Sequence, residues 1–367
     1  MAKYWLLPED IIELLPDAAK EVEALRRLTL DHFASWGYQQ VLPPLAEYLD
    51  SLLAGSGADL EAQTCKITDH HSGRLMGVRA DITPQIARID AHRLPTDGES
   101  RYGYCGEVLR NRSESTEPRR NPLIVGAELF GVSEVGGDVE IIALLLDWLR
   151  RTGIDDCVLD LGHAGIFSGL VAREALDADD RALLQDIFAG KKRPDLMAWQ
   201  AQSRLSDRLI EDVQALMGLY DDAQALDTLR EHFAGTHPEF DRAIADLEAV
   251  QKAISAFFPE QRTSIDLGSV GSYGYHSGLV FSCFASGHYS AIARGGRYDG
   301  VGAAYGRSRP ATGFSADLLT LAQLSTGHGE QPAFTEVLFP DNAETFAALA
   351  QRRAAGESIR FKHNKGA

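Results

Sequence analysis

The sequence predicts an α+β fold, an antiparallel β-sheet with helices packed on it. Strand-like runs come first, a long helical stretch follows, and strand-like runs return towards the end. Their connections are of hairpin length, which favours antiparallel pairing over βαβ crossovers. With 367 residues, 44% of them hydrophobic, the chain can bury a substantial core.

The N-terminal elements are marked by prolines and glycines. Pro16 and Asp17 begin a helix with one apolar stripe, and Gly37 ends it. The next run, YQQVLPPLAEYLD, is strand-like, but its two prolines exclude a central strand and indicate an edge or an interface. The run TCKITDHHSGRLMGVRADIT, residues 64–83, then predicts a hairpin that turns at 69–73.

The remaining elements follow from apolar runs and composition. Residues 174–257, rich in Ala, Leu, Asp and Arg, predict a helical insertion. Around it the sequence predicts strands at 100–110, 121–132, 156–162, 273–285 and 289–301, a helix at 141–149, a strand running into a helix at 311–324, and, after a polar linker, a strand at 335–339 and a helix at 343–355.

Composition and charge exclude several classes of protein. A net charge of −17 argues against a nucleic-acid partner, because phosphate binding needs a basic face. No apolar run of eighteen residues predicts a membrane span, and the first residues do not resemble a secretory signal. The four cysteines are widely spaced, so we expect a cytoplasmic protein with neither disulfides nor a metal site.

Polar residues in apolar runs are the candidates for a binding site. Arg79, Asp81 and Thr83 alternate along a predicted strand, so they would face one side. Glu128 lies within LIVGAELFG, and burying a carboxylate costs several kcal/mol unless it is paired or hydrogen-bonded. It either forms an internal ion pair with Arg110 or Arg79, or it awaits a cationic or imidazole group.

The motifs, in their order, resemble the catalytic core of the histidyl-tRNA synthetase family, which has a class II synthetase fold. They are GYQQVLPP, VRADITPQIAR, EVLRNR…PRRNPLIVGAELFG, SYGYHSGLVF, GGRYDG and ATGFSADLLTL. The resemblance implies a core over residues 1–324 and dimerisation through the proline-containing first motif. Residues 325–367 would be a linker and a short remnant, too few for an anticodon-binding domain.

The resemblance also implies a histidine pocket. Asp81 and Thr83 match residues that hold the α-amino group, and Arg110 matches an arginine near the α-carboxylate. Glu128 matches the acid that contacts the imidazole, and Tyr298 matches a pocket tyrosine.

Two pocket positions are less regular. Tyr275 or His276 matches the family's tyrosine pair, and we assign Tyr275 to the pocket. The glutamine expected four residues before Glu128 is replaced by Ile124, so one contact is missing.

The catalytic half departs from the family. Arg112 replaces the glutamate of the second motif, Thr320 replaces the arginine of the third, and a further arginine falls near Gly271. Because activation needs fixed cations at the α-phosphate, we expect neither catalytic residues nor a bound cofactor.

One paralogue group combines these features: the regulatory subunits of ATP phosphoribosyltransferase. The resemblance implies a cytoplasmic, non-catalytic homodimer that assembles with a short-form catalytic subunit into a hetero-octamer, activates it, and mediates feedback inhibition by L-histidine. A stand-alone histidine sensor, a truncated synthetase and a scaffold without a ligand remain alternatives.

Overall fold

A computed structural model describes residues 6–55, 58–112, 118–174, 176–201, 205–219, 225–268, 276–325, 334–338, 340 and 342–362. The chain divides into two compact units, residues 1–326 and 327–367.

The first unit contains both helices and strands. Its helices are α1 Pro16–Ser35, α2 Leu49–Leu52, α3 Ala58–Gln63, α4 Thr83–His92, α5 Val135–Arg151, α6 Ala164–Ala172, α7 Ala178–Ala189, α8 Arg193–Gln200, α9 Asp207–Gly218, α10 Ala225–Phe233, α11 Pro238–Phe257 and α12 Leu318–Leu324. Its strands are β1 Gln39–Gln40, β2 Ala46–Tyr48, β3 Cys65–Thr68, β4 Leu75–Val78, β5 Ser100–Glu107, β6 Leu123–Phe130, β7 Cys157–His163, β8 Arg262–Ile265, β9 Leu279–Ala285, β10 Ala293–Arg297 and β11 Ala311–Asp317. In the described part of this unit, a run of six helices, α6 to α11, lies between β7 and β8.

The second unit, within its described residues, is a small βαβ element. Strand β12 Thr335–Leu338 pairs in parallel with β13 Ile359–Lys362, and helix α13 Ala343–Ala354 connects them. The predicted strand at 335–339 and helix at 343–355 are confirmed, whereas β13 was not predicted.

A mixed sheet of eight described strands forms the centre of the first unit. Its order is β1-β5-β6-β11-β10-β9-β7-β8. The five inner pairs are antiparallel, and the pairs at the two ends, β1 with β5 and β7 with β8, are parallel. The predicted antiparallel sheet is therefore confirmed for its inner strands, and the proline-interrupted run does supply an edge strand.

The main hydrophobic core lies on one face of this sheet, which we call the back face. Phe314 of β11 contacts Phe33 of α1 and Trp148 of α5, with ring centroids 5.7 and 5.9 Å apart. All three side chains are buried, and each contributes about 1.5–3 kcal/mol through the hydrophobic effect. Helices α1 and α5 are thereby fixed against the back face.

The opposite face, the front face, is only partly covered by apolar groups. Ile82 directly precedes α4 and Ile86 lies within it. Both pack with Tyr104 and Val301 in a second cluster of buried residues. A smaller antiparallel sheet, β2-β4-β3, precedes α4. This arrangement leaves polar side chains of the central strands between α4 and the sheet.

Several boundaries differ from the prediction. Helix α5 begins at Val135 rather than 141, because two glycines near its start lack an apolar signal. The helical stretch begins at Ala164 rather than about 174, since α6 is apolar on all sides and shows no periodicity. Strand β8 is short and polar and was not predicted.

The GGR run of β10 combines close strand packing with a buried ion pair. A Cβ at Gly295 would lie 2.3 Å from both the Gly313 carbonyl oxygen and the Phe281 ring, so a side chain there does not fit. Arg297 donates two hydrogen bonds to Asp138 of α5, at 2.8 and 3.0 Å, and both side chains are buried. The pair connects β10 to α5.

We predict that Asp138→Asn destabilises the protein by about 3 kcal/mol, because the Arg297 guanidinium loses its buried counter-charge and keeps only the longer 3.3 Å pair with Asp299. Urea unfolding measures this change. The control is Asp97→Asn, which breaks the pair of Arg307 with a fully exposed carboxylate and should cost less than about 1 kcal/mol. Equal losses for the two variants would contradict the role given to the buried pair.

Candidate functional site

The front face of the sheet contains a buried carboxylate surrounded by hydroxyl groups. The hydroxyl of Tyr298 donates to Glu128 Oε2 at 2.5 Å. Thr83 Oγ1 and Tyr104 Oη donate to Glu128 Oε1 at 2.9 and 3.1 Å. We call Glu128 with these three side chains the hydroxyl cage. All four residues are buried.

Separate elements contribute each member of the hydroxyl cage. Glu128 is in β6 and Tyr104 in β5, whereas Tyr298 directly follows β10. Thr83 is the first residue of α4, and β4 already ends at Val78. The prediction that Arg79, Asp81 and Thr83 alternate along a strand is therefore wrong.

The reason for this difference lies in the local sequence. Pro84 is well tolerated in the first turn of a helix and so favours a helix start at Thr83. Asp81 Oδ1 accepts the backbone N–H of Ile82 at 2.6 Å, and that of Thr83 at 3.4 Å, which stabilises the turn before the helix. Asp81 and Thr83 still reach the front face, through a turn and a helix start.

A glycine on the neighbouring strand makes room for the carboxylate. Gly313 of β11 is paired in register with Glu128. A Cβ at Gly313 would lie 1.7 Å from Glu128 Oε2, so no side chain can be accommodated there.

Burial raises the pKa of Glu128 from its ordinary 4.5 to about 8, although the three hydroxyl groups act in the opposite direction. Among the described residues no cation forms a salt bridge with Glu128. Arg79 is buried elsewhere and donates to the carbonyl oxygens of Glu107 and Pro43. The alternative of an ion pair with Arg79 or Arg110 is therefore wrong.

Asp81 and Arg110 lie beside the hydroxyl cage. Burial raises the pKa of Asp81, and the positive charge of Arg110 partly offsets this effect. The Asp81 carboxylate in turn contributes to the raised pKa of Glu128. Arg110 is half-buried, and its Nε lies 3.4 Å from the carbonyl oxygen of Ala80.

The structure brings together five of the six predicted site residues: Asp81, Thr83, Arg110, Glu128 and Tyr298. The sixth, Tyr275, lies outside the described residues. The ring of His276 lies at Gly296, the register partner of Gly313, and burial lowers its pKa to about 4. Of the two residues that match the family's tyrosine pair, Tyr275 and His276, only His276 is among the described residues, and it lies close to the hydroxyl cage.

Tyr104 was not predicted as a site residue, although the sequence contains a signal for it. Tyr102 pairs in register with Glu128, and Tyr104 follows two residues later on the same face of β5. Burial and the neighbouring Glu128 raise the pKa of Tyr104 well above its ordinary value. Its hydroxyl therefore remains a hydrogen-bond donor.

Further along the front face, an internal ion pair lies beside Thr320, at the position where the resemblance implies an arginine that contacts nucleotide phosphates. Asp317 caps α12 and accepts a 2.5 Å bond from Arg119 Nη1, which also lies 3.3 Å from Thr320 Oγ1. Asp317 also accepts the backbone N–H of Leu123 at 3.2 Å. The position of the missing arginine, Thr320, is thus part of a hydrogen-bonded cluster within the protein.

Other candidate sites in the described part of the chain are poor. A surface groove of about 370 Å³ has a mostly apolar lining that includes Trp36, Val139 and Phe257, and the carboxylate of Glu140 in that lining is already paired with Arg101. No cluster of three metal-ligating side chains occurs among the residues with described positions. No helix among them is long and apolar enough to cross a membrane.

Comparison with known proteins shows the fold and the family of the chain. The family model for histidyl-tRNA synthetase matches residues 10–321. A solved structure described as an ATP phosphoribosyltransferase regulatory subunit/histidyl-tRNA synthetase, from Bacillus halodurans, is 21% identical with a TM-score of 0.85, and the match covers 100% of this chain and 95% of that one. Histidyl-tRNA synthetase from Nostoc sp. PCC 7120 is 18% identical with a TM-score of 0.78, over 100% and 88% of the two chains. At these identities the two structures establish the fold alone.

Curated relatives are closer in sequence. The ATP phosphoribosyltransferase regulatory subunit of Thioalkalivibrio sulfidiphilus is 43% identical over 97% of this chain and 90% of its own length. That of Burkholderia lata is 45% identical over 97% and 91%. The chain therefore belongs to the family of ATP phosphoribosyltransferase regulatory subunits, whose fold is that of histidyl-tRNA synthetase.

Proposed function

We propose that this protein is a non-catalytic regulatory subunit that activates a short-form ATP phosphoribosyltransferase catalytic subunit in the cytoplasm and mediates its inhibition by L-histidine. Family membership supports the partnership with a catalytic subunit. The observation that carries the histidine part is the hydroxyl cage, a buried carboxylate with no cation among its described partners.

The chemistry of the hydroxyl cage matches an imidazole. At neutral pH the hydroxyl cage holds Glu128 mostly protonated, since its pKa is about 8. An imidazole that accepts this proton becomes a cation beside the remaining carboxylate, which forms a strong charge-assisted hydrogen bond. Asp81 would hold the ligand's α-amino group, and Arg110 would approach its α-carboxylate. Tyr275 remains a proposed pocket residue by resemblance.

The position of Arg119 and Asp317 supports a protein that binds histidine without activating it. A nucleotide bound there would have to break a 2.5 Å charge-assisted hydrogen bond and expose the cap of α12. Thr320 offers no positive charge to phosphates in return. These features count against a truncated synthetase.

The region of the first motif supports a homodimer. Leu42 and Leu45, on either side of the two prolines, are 73% and 49% exposed, and Leu75 on the adjoining small sheet is 54% exposed. Leu42 and Leu45 are close in sequence, and neighbouring exposed leucines are typical of an interaction surface. We propose that they are covered by a second copy, and that such dimers assemble with catalytic subunits into the hetero-octamer.

We predict that the protein becomes less stable as pH rises from 5 to 8, and that Glu128→Gln removes much of this dependence. The folded state keeps a proton on Glu128 up to about pH 8, whereas the unfolded chain loses it near 4.5. Rising pH therefore favours unfolding, by up to about 1 kcal/mol per pH unit. Urea unfolding at several pH values measures this slope. Parallel profiles for wild type and variant would show that Glu128 is ionised when buried.

The regulatory role is tested by titrating a short-form catalytic subunit with this protein and measuring phosphoribosyl transfer to ATP, with and without histidine. We expect activation that saturates at a fixed ratio and weakens with histidine, and light scattering should give the mass of the complex. Failure to activate at any ratio would contradict the regulatory role and favour a stand-alone sensor.

Glu128→Gln separates the two halves of this role. We expect it to activate normally but to need at least about tenfold more histidine for half-inhibition, because a hydrogen bond to a charged group contributes about 1.5–3 kcal/mol. The control is Glu248→Gln on α11, outside the site. An unchanged histidine response in Glu128→Gln would place the inhibitory site elsewhere.

A further inference from the structure

A row of polar side chains crosses the front face one pleat away from the hydroxyl cage. Arg294 of β10 is paired in register with Ser315 of β11 and with Ser282 of β9. Ser282 is in turn paired with Asp160 of β7. Residues paired in register lie on the same face of a sheet, so these four side chains share a face.

This face is the one that contains Glu128. Glu128, Gly313 and Gly296 form the neighbouring row, and Gly296 is two residues from Arg294 along β10. With about 4.8 Å between strands and about 3.4 Å per residue, the Cα atoms of Arg294 and Glu128 are about 12 Å apart. An extended arginine and a ligand of amino-acid size together span this distance.

Arg294 is an available cation. It is exposed, and no carboxylate among the described residues lies within salt-bridge distance of it. The nearest acid on its row, Asp160, is two strands away and accepts a hydrogen bond from Ser264. By contrast Arg297, three residues later, is buried against Asp138 on the back face.

The two arginines near the site differ in their surroundings. Arg110 follows β5 and has the Asp81 carboxylate close by, so its charge is already partly balanced. Arg294 approaches from the opposite side, on β10, with serine hydroxyls as its register neighbours. An anionic group between the two would therefore gain most from Arg294.

We propose that Arg294 binds the carboxylate of the ligand whose imidazole lies at Glu128, with Ser315 and Ser282 as neighbouring hydrogen-bond donors. This inference rests on the proposed function and adds to it a determinant of specificity. The site selects a ligand with a carboxylate as well as an imidazole, and discriminates against imidazole amines.

The test is isothermal titration calorimetry of the full chain with L-histidine and with histamine, which keeps the imidazole and the amine but lacks the carboxylate. We expect wild type to bind histidine more tightly than histamine. Arg294→Gln should lose about ten- to hundredfold in histidine affinity, in line with one charged hydrogen-bonding contact, and nothing in histamine affinity. The unchanged histamine affinity also shows that the variant is folded.

The matched control is Arg208→Gln, an exposed arginine on α9, which should bind both ligands as wild type does. If Arg294→Gln binds histidine as tightly as wild type, the inference about Arg294 is wrong and the histidine pocket stands. If wild type binds neither ligand, both the pocket and the role of Arg294 are wrong.

Discussion

The burial of one carboxylate, Glu128, imposes conditions that much of the front face satisfies. An unpaired charge there would cost several kcal/mol. Three hydroxyl groups donate hydrogen bonds to the carboxylate, and burial raises its pKa so that it holds a proton at neutral pH. Those donors come from the start of α4, from β5 and from the residue after β10. The neighbouring strand must have glycine at 313 because the carboxylate occupies that space. The fold and the site therefore depend on the same contact.

The front face has two parts that differ in their chemistry, one around Glu128 and one around Asp317. The half for which we propose histidine binding has Thr83, Glu128 and Tyr298 buried together, with Asp81 beside them. In the other half Asp317, paired with Arg119, caps a helix where a nucleotide-binding protein would leave cations free. A site of this kind can sense a small amino acid, and the free energy of that binding can bias a partner by the 1–3 kcal/mol typical of allosteric coupling.

Much of this was predictable from the sequence, and the exceptions have physical causes. Periodic helices such as α1 and the long apolar strands were predicted because their side chains face one core. Helix α6 was missed because it is apolar all round, and β8 because it is short and polar. The prediction that Asp81 and Thr83 lie on a strand is wrong because an alternating pattern does not distinguish a strand from a turn before a helix. Thr83 and Glu128 are 45 residues apart in sequence, so local patterns do not predict their contact, and only the family resemblance implies it.

We propose that the chain binds histidine and that the described part of the front face binds no nucleotide. Calorimetry of the isolated protein with L-histidine, and separately with MgATP, tests it most directly. We expect a saturable histidine signal near one site per chain and no ATP binding at millimolar concentration. Saturable ATP binding, or the absence of histidine binding, would contradict it.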